Sequence, residues 1–224
     1  MKRKLMTRFF VGYGVTFLVV ILGLLISYQT NAQSSKPAAG IKGGLNVSNL
    51  YTGDVDDRDA RYGFNVGIFG QPASSDVAAL QLELNYSTKG TMVMSSFGTI
   101  DQETKFRMNY LDLPVLAVFK LGKAVELHAG AYAAYLLSAN IDSDGDLGDT
   151  FDEVDKDNFN SFDYGVAAGI GFNLGGIQIG GRYNLGLNEI ARSSAAKNIF
   201  GSAKNQFGQL YIAFNLNHDS TVDQ

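Results

Sequence analysis

Three features of the sequence predict an all-β chain folded as an eight-stranded antiparallel up-and-down transmembrane β-barrel. These are a two-residue alternation of apolar and polar side chains, a composition rich in glycine and aromatics, and connections alternating between short and long. A period of two is the period of a strand, because successive side chains point to opposite faces of a sheet.

The strands are expected at about 40–50, 61–71, 78–90, 105–120, 124–139, 162–174, 176–187 and 206–217. In the first, Ile41, Leu45 and Val47 oppose Lys42, Asn46 and Ser48. In the second, Tyr62, Phe64, Val66 and Ile68 oppose Asn65 and Gly67. The third sets Leu80, Leu82, Leu84 and Tyr86 against Gln81, Glu83, Asn85 and Ser87. In the fifth, Val125, Leu127, Ala129, Ala131, Ala133 and Tyr135 oppose Glu126, His128, Gly130 and Tyr132. The sixth opposes Tyr164, Val166, Ala168, Ile170 and Phe172 to Asp163 and small residues. The seventh sets Ile177, Ile179, Tyr183 and Leu185 against Gln178, Arg182 and Asn184. The last sets Leu210, Ile212, Phe214 and Leu216 against Gln209, Tyr211 and Asn215. "PASSDV", "LGKA" and "GG" supply short links. Long polar links, the longest at about 140–161 and 188–205, join the other pairs.

Alternation alone does not say which row faces inward, because a soluble barrel buries its apolar row and a membrane barrel turns it outward. The polar row here is rich in Gly, Asn and Ser and poor in Lys and Glu, which suits a cramped lumen. Aromatics also sort by end. Tyr62, Tyr86, Tyr110, Tyr135, Tyr164 and Tyr183 fall toward the long links, and Phe69, Phe119, Phe172 and Phe214 toward the short ones, as two interfacial girdles would. The N-terminus supplies a route. Lys2, Arg3, Lys4 and Arg8 precede an apolar run from Phe9 to Ile26, and Thr30 and Ala32 occupy the −3 and −1 positions before Gln33. That pattern predicts a signal peptide over 1–32, a short lead over 33–39, the barrel over 40–217, a tail over 218–224, and localisation in the cell outer membrane.

Residues 1–32 carry four of the chain's 18 basic residues and no acidic ones, leaving 14 against 22, a net −8. That charge argues against nucleic acid as a partner. The absence of cysteine excludes disulfides, thiolate metal sites and a lipoprotein anchor. The histidines, His128 and His218, lie away from the long links, so no Ser-His-acid site is expected on them. "LGKA" lacks the spacing of a phosphate loop and "GIGFNLGG" that of a dinucleotide fingerprint. No catalytic residue, cofactor or enzymatic activity is expected.

The polar row collects Lys42, Glu83, Asp112, Glu126, Asp163 and Arg182. Charges in a narrow barrel must be paired, so Arg182 is expected to fork onto one or more of these carboxylates, with Glu83 and Asp112 the first choices by estimated depth. The network then acts as a plug that fixes register, or alternatively as a gated proton or ion path. The acidic stretch "NIDSDGDLGDTFDEVDKDN" puts Asp142, Asp144, Asp146 and Glu153 at positions 1, 3, 5 and 12 of an EF-hand-like count. Leu147 replaces the glycine required at position 6, so a solvated loop is the default and weak Ca²⁺ binding the alternative.

"GIKGGLNVSNL", "GFNVGIFG", "YLDLPVLAVFKLG", "FDYGVAAGIGFNLGGIQIGGRYNLGL" and "FGQLYIAFNL", taken in order, resemble the porin-family outer-membrane β-barrel domain of Bacteroidota type, a group that includes PorT-like proteins. The resemblance implies an eight-stranded outer-membrane barrel, with a role in protein secretion as one possibility. Phe214 lies ten residues before Gln224, so the assembly signal, which usually ends on a terminal aromatic, is expected to be read internally. The function expected is that of a monomeric outer-membrane barrel in lipid. It would have a structural or interaction role, a plugged lumen, and a protein partner at its loops. The alternatives are a narrow small-solute or ion channel, or a PorT-like secretion accessory.

Overall fold

The computed structural model describes residues 38–51, 59–97, 100–145, 150–153, 158–194 and 201–216. They form β1 (Ala39–Tyr51), β2 (Asp59–Ser74), β3 (Ala78–Phe97), β4 (Ile100–Leu121), β5 (Val125–Gly145), β6 (Thr150–Glu153), β7 (Phe162–Leu174), β8 (Ile177–Glu189) and β9 (Lys204–Asn215). All pairings are antiparallel. Eight strands close a ring in the order β1-β2-β3-β4-β5-β7-β8-β9, with β9 returning to β1 from Gly40↔Asn215 to Tyr51↔Lys204. β6 stands outside the ring and pairs only with β5.

The two rows separate as the period demands. Phe64, Val66, Leu210 and Ile212 point outward with 49%, 54%, 68% and 45% of their surface exposed, while Asn46, Asn65, Glu83 and Arg182 are buried inside. A soluble barrel would reverse this, so the contiguous apolar outer wall makes it a membrane barrel. At one end the links are tight. Gly122 and Gly175 hold φ of 72° and 69° there, a left-handed conformation that glycine adopts without a Cβ clash.

Two links expected as loops are strand. The β3–β4 ladder continues from Thr91↔Phe106 to Phe97↔Ile100, leaving only residues 98–99 between the strands. No proline falls between Pro72 and Pro114 to interrupt it, and Thr91, Val93, Ile100 and Thr104 are β-branched. β5 likewise runs on to Gly145 and folds back through β6, pairing Asn140↔Glu153 and Ser143↔Thr150. Backbone pairing is indifferent to the acidity of the side chains, so this stretch makes a hairpin instead of a free loop. Above the ring, β3, β4, β5 and β6 therefore continue as a four-stranded extension.

Two aromatics expected in the girdles are inside. Phe69, one residue out of phase with Ile68, packs on Tyr211 and Ala213. Tyr110 shares the parity of Asp112 and is 1% exposed. Tyr62, Tyr135, Tyr164, Tyr183, Phe119, Phe172 and Phe214 do face outward. At the long-link end, Phe159, Ile190, Ala191 and Ala203 from the connections pack over Met108, Tyr110, Tyr132, Leu136 and Phe207. Apolar residues in links that read as polar thus cover that end of the lumen.

Closure at the β1–β9 seam is tested at glycine. A Cβ on Gly44 would meet the Leu210 carbonyl and the Tyr211 backbone, whereas one on Gly208 meets open space. Gly44→Val is expected to deplete the compact, heat-modifiable band of the folded barrel on a denaturing gel, and Gly208→Ala to leave it intact.

Candidate functional site

The lumen is layered, and strand parity delivers every side chain to it. Near the tight-turn end, Glu83 of β3 is the focus. Arg182 of β8 reaches it with both terminal nitrogens, Nη1 to Oε2 at 2.8 Å and Nη2 to Oε1 at 2.7 Å. Lys42 of β1 is a longer partner, its Nζ at 3.1 Å from Oε2 and lying 3.9 Å over the Tyr211 ring. Gln81 and Asn85 donate to the same carboxylate at 2.6 and 2.9 Å. A buried bidentate pair with its remaining lone pairs filled is the arrangement in which Coulomb attraction repays desolvation.

Below this layer His128 sits between two groups. Its Nε2 is 3.4 Å from Glu126 Oε2, and its Nδ1 is 3.4 Å from Arg182 Nη2 and 3.5 Å from the Tyr211 hydroxyl. Glu126 also accepts from Asn173 at 3.0 Å and Gln178 at 2.8 Å. Above the Glu83 layer lies a belt of amides. Asn65 and Gln209 donate to Asn46 Oδ1 at 2.7 and 3.2 Å, and Asn184 donates to Gln209 at 3.3 Å.

A second ionic layer follows toward the long-link end. Lys89 Nζ is 2.8 Å from Asp112 Oδ1 and 3.9 Å from Asp163 Oδ2. Three rings surround it, Phe207, Tyr110 and Tyr132, with centroids at 4.4, 4.6 and 5.0 Å. Aromatic faces stabilise a cation in place of water. Asn205 and the Tyr132 hydroxyl donate to Asp163 Oδ2 at 2.9 and 3.3 Å.

Of the residues singled out in the sequence, Lys42, Glu83 and Arg182 come together, and Glu126 joins them through His128. Asp112 does not meet Arg182. It lies nearer the other end, and Lys89 takes it instead. Lys89 was missed, although its odd number on the row of Gln81, Glu83, Asn85 and Ser87 points it inward. Asp163 belongs to this second group. Asp142, Asp144 and Glu153 fall on β5 and β6, but Asp146 and the side chains of all four lie outside the described residues. Among the described residues no group of three or more His, Cys, Asp or Glu side chains is placed to hold a metal.

The ionic layers should dominate stability. Arg182→Met removes the bidentate partner of Glu83, leaves it Lys42, Gln81 and Asn85, and is expected to cost about 1.5–3 kcal/mol in urea unfolding of the folded barrel. Arg182→Lys, which keeps the charge and loses the fork, should fall between it and wild type. Lys120→Met at the barrel end should stay within about 1 kcal/mol.

Residues 29–192 match the family model described as the outer membrane protein beta-barrel domain. Among curated proteins, none matches the chain. Solved structures similar to it include Ail, the attachment invasion locus protein of Yersinia pestis, in complex with the heparin analogue sucrose octasulfate. It is 15% identical, with 81% of this chain and 99% of that one covered and a TM-score of 0.48. Neisserial surface protein A is 14% identical over 80% and 99% of the two chains, with a TM-score of 0.43. The N-terminal barrel domain of Pseudomonas aeruginosa OprF is 10% identical over 80% and 99%, with a TM-score of 0.40. The family match spans most of the ring, and the ring's apolar outer wall is the surface an outer membrane requires. The chain belongs to the outer membrane protein β-barrel domain family.

Proposed function

We propose that this small outer-membrane barrel acts as a structural and interaction protein, with its lumen plugged and a partner met on the outer side. One observation carries the reading: the lumen holds two ionic layers separated by an amide belt, with apolar connection residues packed over one end. An eight-stranded ring has little interior to spare beyond its side chains. A hydrated path would have to part short, buried ion pairs, which is costly in low dielectric.

With no conduit to maintain, the surface available for work is the extension of β3 to β6 beyond the ring. Its two outer strands, β3 past Met92 and β6, have no strand partner on one side among the described residues. The chain reaches the membrane through a cleaved signal peptide over residues 1–32, functions as a monomer in lipid, and catalyses no reaction. A second reading, a narrow channel for small solutes or ions, draws on the cavity that opens at the tight-turn end. A role as a PorT-like secretion accessory rests on the sequence resemblance alone.

Planar-bilayer recording separates the first two readings. The wild-type barrel is expected to show no reproducible unitary opening. A reproducible conductance that Arg182→Ala abolishes would overturn the plug. N-terminal sequencing of the protein from the outer-membrane fraction should begin at Gln33. Cross-linkers placed along residues 93–102 are expected to capture a partner, whereas cross-linkers in the 122–124 turn are not.

A further inference from the structure

Around Glu83 itself the positive charges outnumber the negative, and Glu126 reaches them only through His128. Two cations, Lys42 and Arg182, share one carboxylate. Arg182 holds both of its oxygens at 2.7 and 2.8 Å, while Lys42 stands off at 3.1 and 3.4 Å. Lys42 is 3% exposed, so its charge is not dissipated in bulk water. A buried cation that shares its carboxylate with a closer partner gains from any further anion that approaches it.

Lys42 forms the floor of a cavity of about 190 Å³ that opens at the tight-turn end of the lumen. Lys120 and Lys123 stand at its rim, and Glu126 is the acidic residue of its wall. Glu126 is already engaged by Asn173, Gln178 and His128. Lys120 donates to Ser74 Oγ at 2.7 Å and to the Ser75 carbonyl at 2.9 Å, leaving one of its three protons uncommitted. Asp76 lies on the neighbouring turn and does not line the cavity. The wall therefore carries three cations against one carboxylate, on a chain that is acidic overall.

The remaining wall orients this charge and does not cancel it. Gln71 donates to Gln81 at 2.9 Å, Gln81 to Glu83, and the Tyr211 hydroxyl to Gln178 at 3.2 Å. These bonds orient the amides toward one another, and the charged donors of the wall are its ammonium groups. The volume sets the size of the guest. Drug-sized ligands occupy pockets of about 300–1,000 Å³, so this cavity accepts one small group with a few waters.

We propose that the cavity is a binding site for a single small oxyanion, a phosphate or carboxylate group, held between Lys42 at the floor and Lys120 and Lys123 at the rim. It lies at the end opposite the β3–β6 extension and is independent of any partner bound there. Short turns lie on the periplasmic side of such barrels, so the anion arrives either as a free periplasmic solute or as the headgroup of an anionic lipid in the inner leaflet.

The test uses the folded full chain and inorganic phosphate as the probe, followed by titration calorimetry in zwitterionic detergent. Saturable binding to one site is expected. Lys120→Gln and Lys123→Gln should each weaken it about fivefold, the effect of removing one partly exposed charge partner. Lys42→Met should abolish it. Should Lys42→Met fail to fold, the rim variants still decide the matter, because they lie at the barrel end outside the ionic layers. Nanodiscs identify the source. Phosphate binding that persists in phosphatidylcholine and is lost when phosphatidylglycerol is added assigns the site to a lipid headgroup. Equal binding in both assigns it to a soluble anion. Absence of saturable binding by wild type, or binding unchanged in the Lys120→Gln/Lys123→Gln double variant, overturns the proposal.

Discussion

Hydrocarbon offers no hydrogen-bond partner to a peptide group, and the architecture of this chain follows from that. Every N–H and C=O within the membrane must be met by another strand, so the last strand returns to the first, and β9 pairs with β1 across the seam. Once the ring closes, each strand has one face toward lipid and one toward a narrow interior. The alternation that began as a pattern in the sequence becomes a partition between two solvents. Ile41, Phe64, Leu210 and their row face the lipid side, and Lys42, Glu83, Lys89, Asp112, Glu126, Asp163 and Arg182 are forced inward.

Confinement then decides what the charges do. In water Lys42, Arg182 and Glu83 would be worth little to one another; in the lumen none of them is tolerable alone. The barrel arranges them in two groups of opposite imbalance. Two cations converge on Glu83 near the tight turns, and one cation, Lys89, faces Asp112 and Asp163 near the other end. An amide belt of Asn46, Asn65, Asn184 and Gln209 separates them with neutral dipoles. Packing completes the division, because rings surround Lys89, and Phe159, Ile190 and Ala191 pack over it. The inner layer instead opens onto a vestibule. The described residues consequently differ between the two ends: apolar cover and extended strand at the long-link end, a cavity lined by lysines at the tight-turn end.

Much of this was legible in residue order. Parity alone sends Lys42, Glu83, Glu126, Asp163 and Arg182 inward, and the same rule reaches Lys89, Phe69 and Tyr110 once applied along the whole of each strand. The long links were harder to read. Residues 91–97, 100–104, 140–145 and 150–153 lie in segments polar enough to look like loops, yet are strand because pairing to an existing neighbour needs only backbone. The apolar cover was hidden for a related reason: Phe159 and Ile190 are single residues in polar surroundings and have no period to reveal them.

The strand period, the face each side chain takes, and hence the barrel and its need for lipid are written in residue order, because those properties follow from local geometry repeated along the chain. Which charges meet is set by the folded ring. Parity specifies inward but not depth, and depth depends on strand tilt and stagger summed around the ring. Arg182 and Glu83 are 99 positions apart and in bidentate contact. Asp112, equally inward on the strand beside Glu83, lies farther along the axis and belongs to Lys89. The lone arginine of an apolar stretch was always going to point inside; closure of the ring chose its carboxylate.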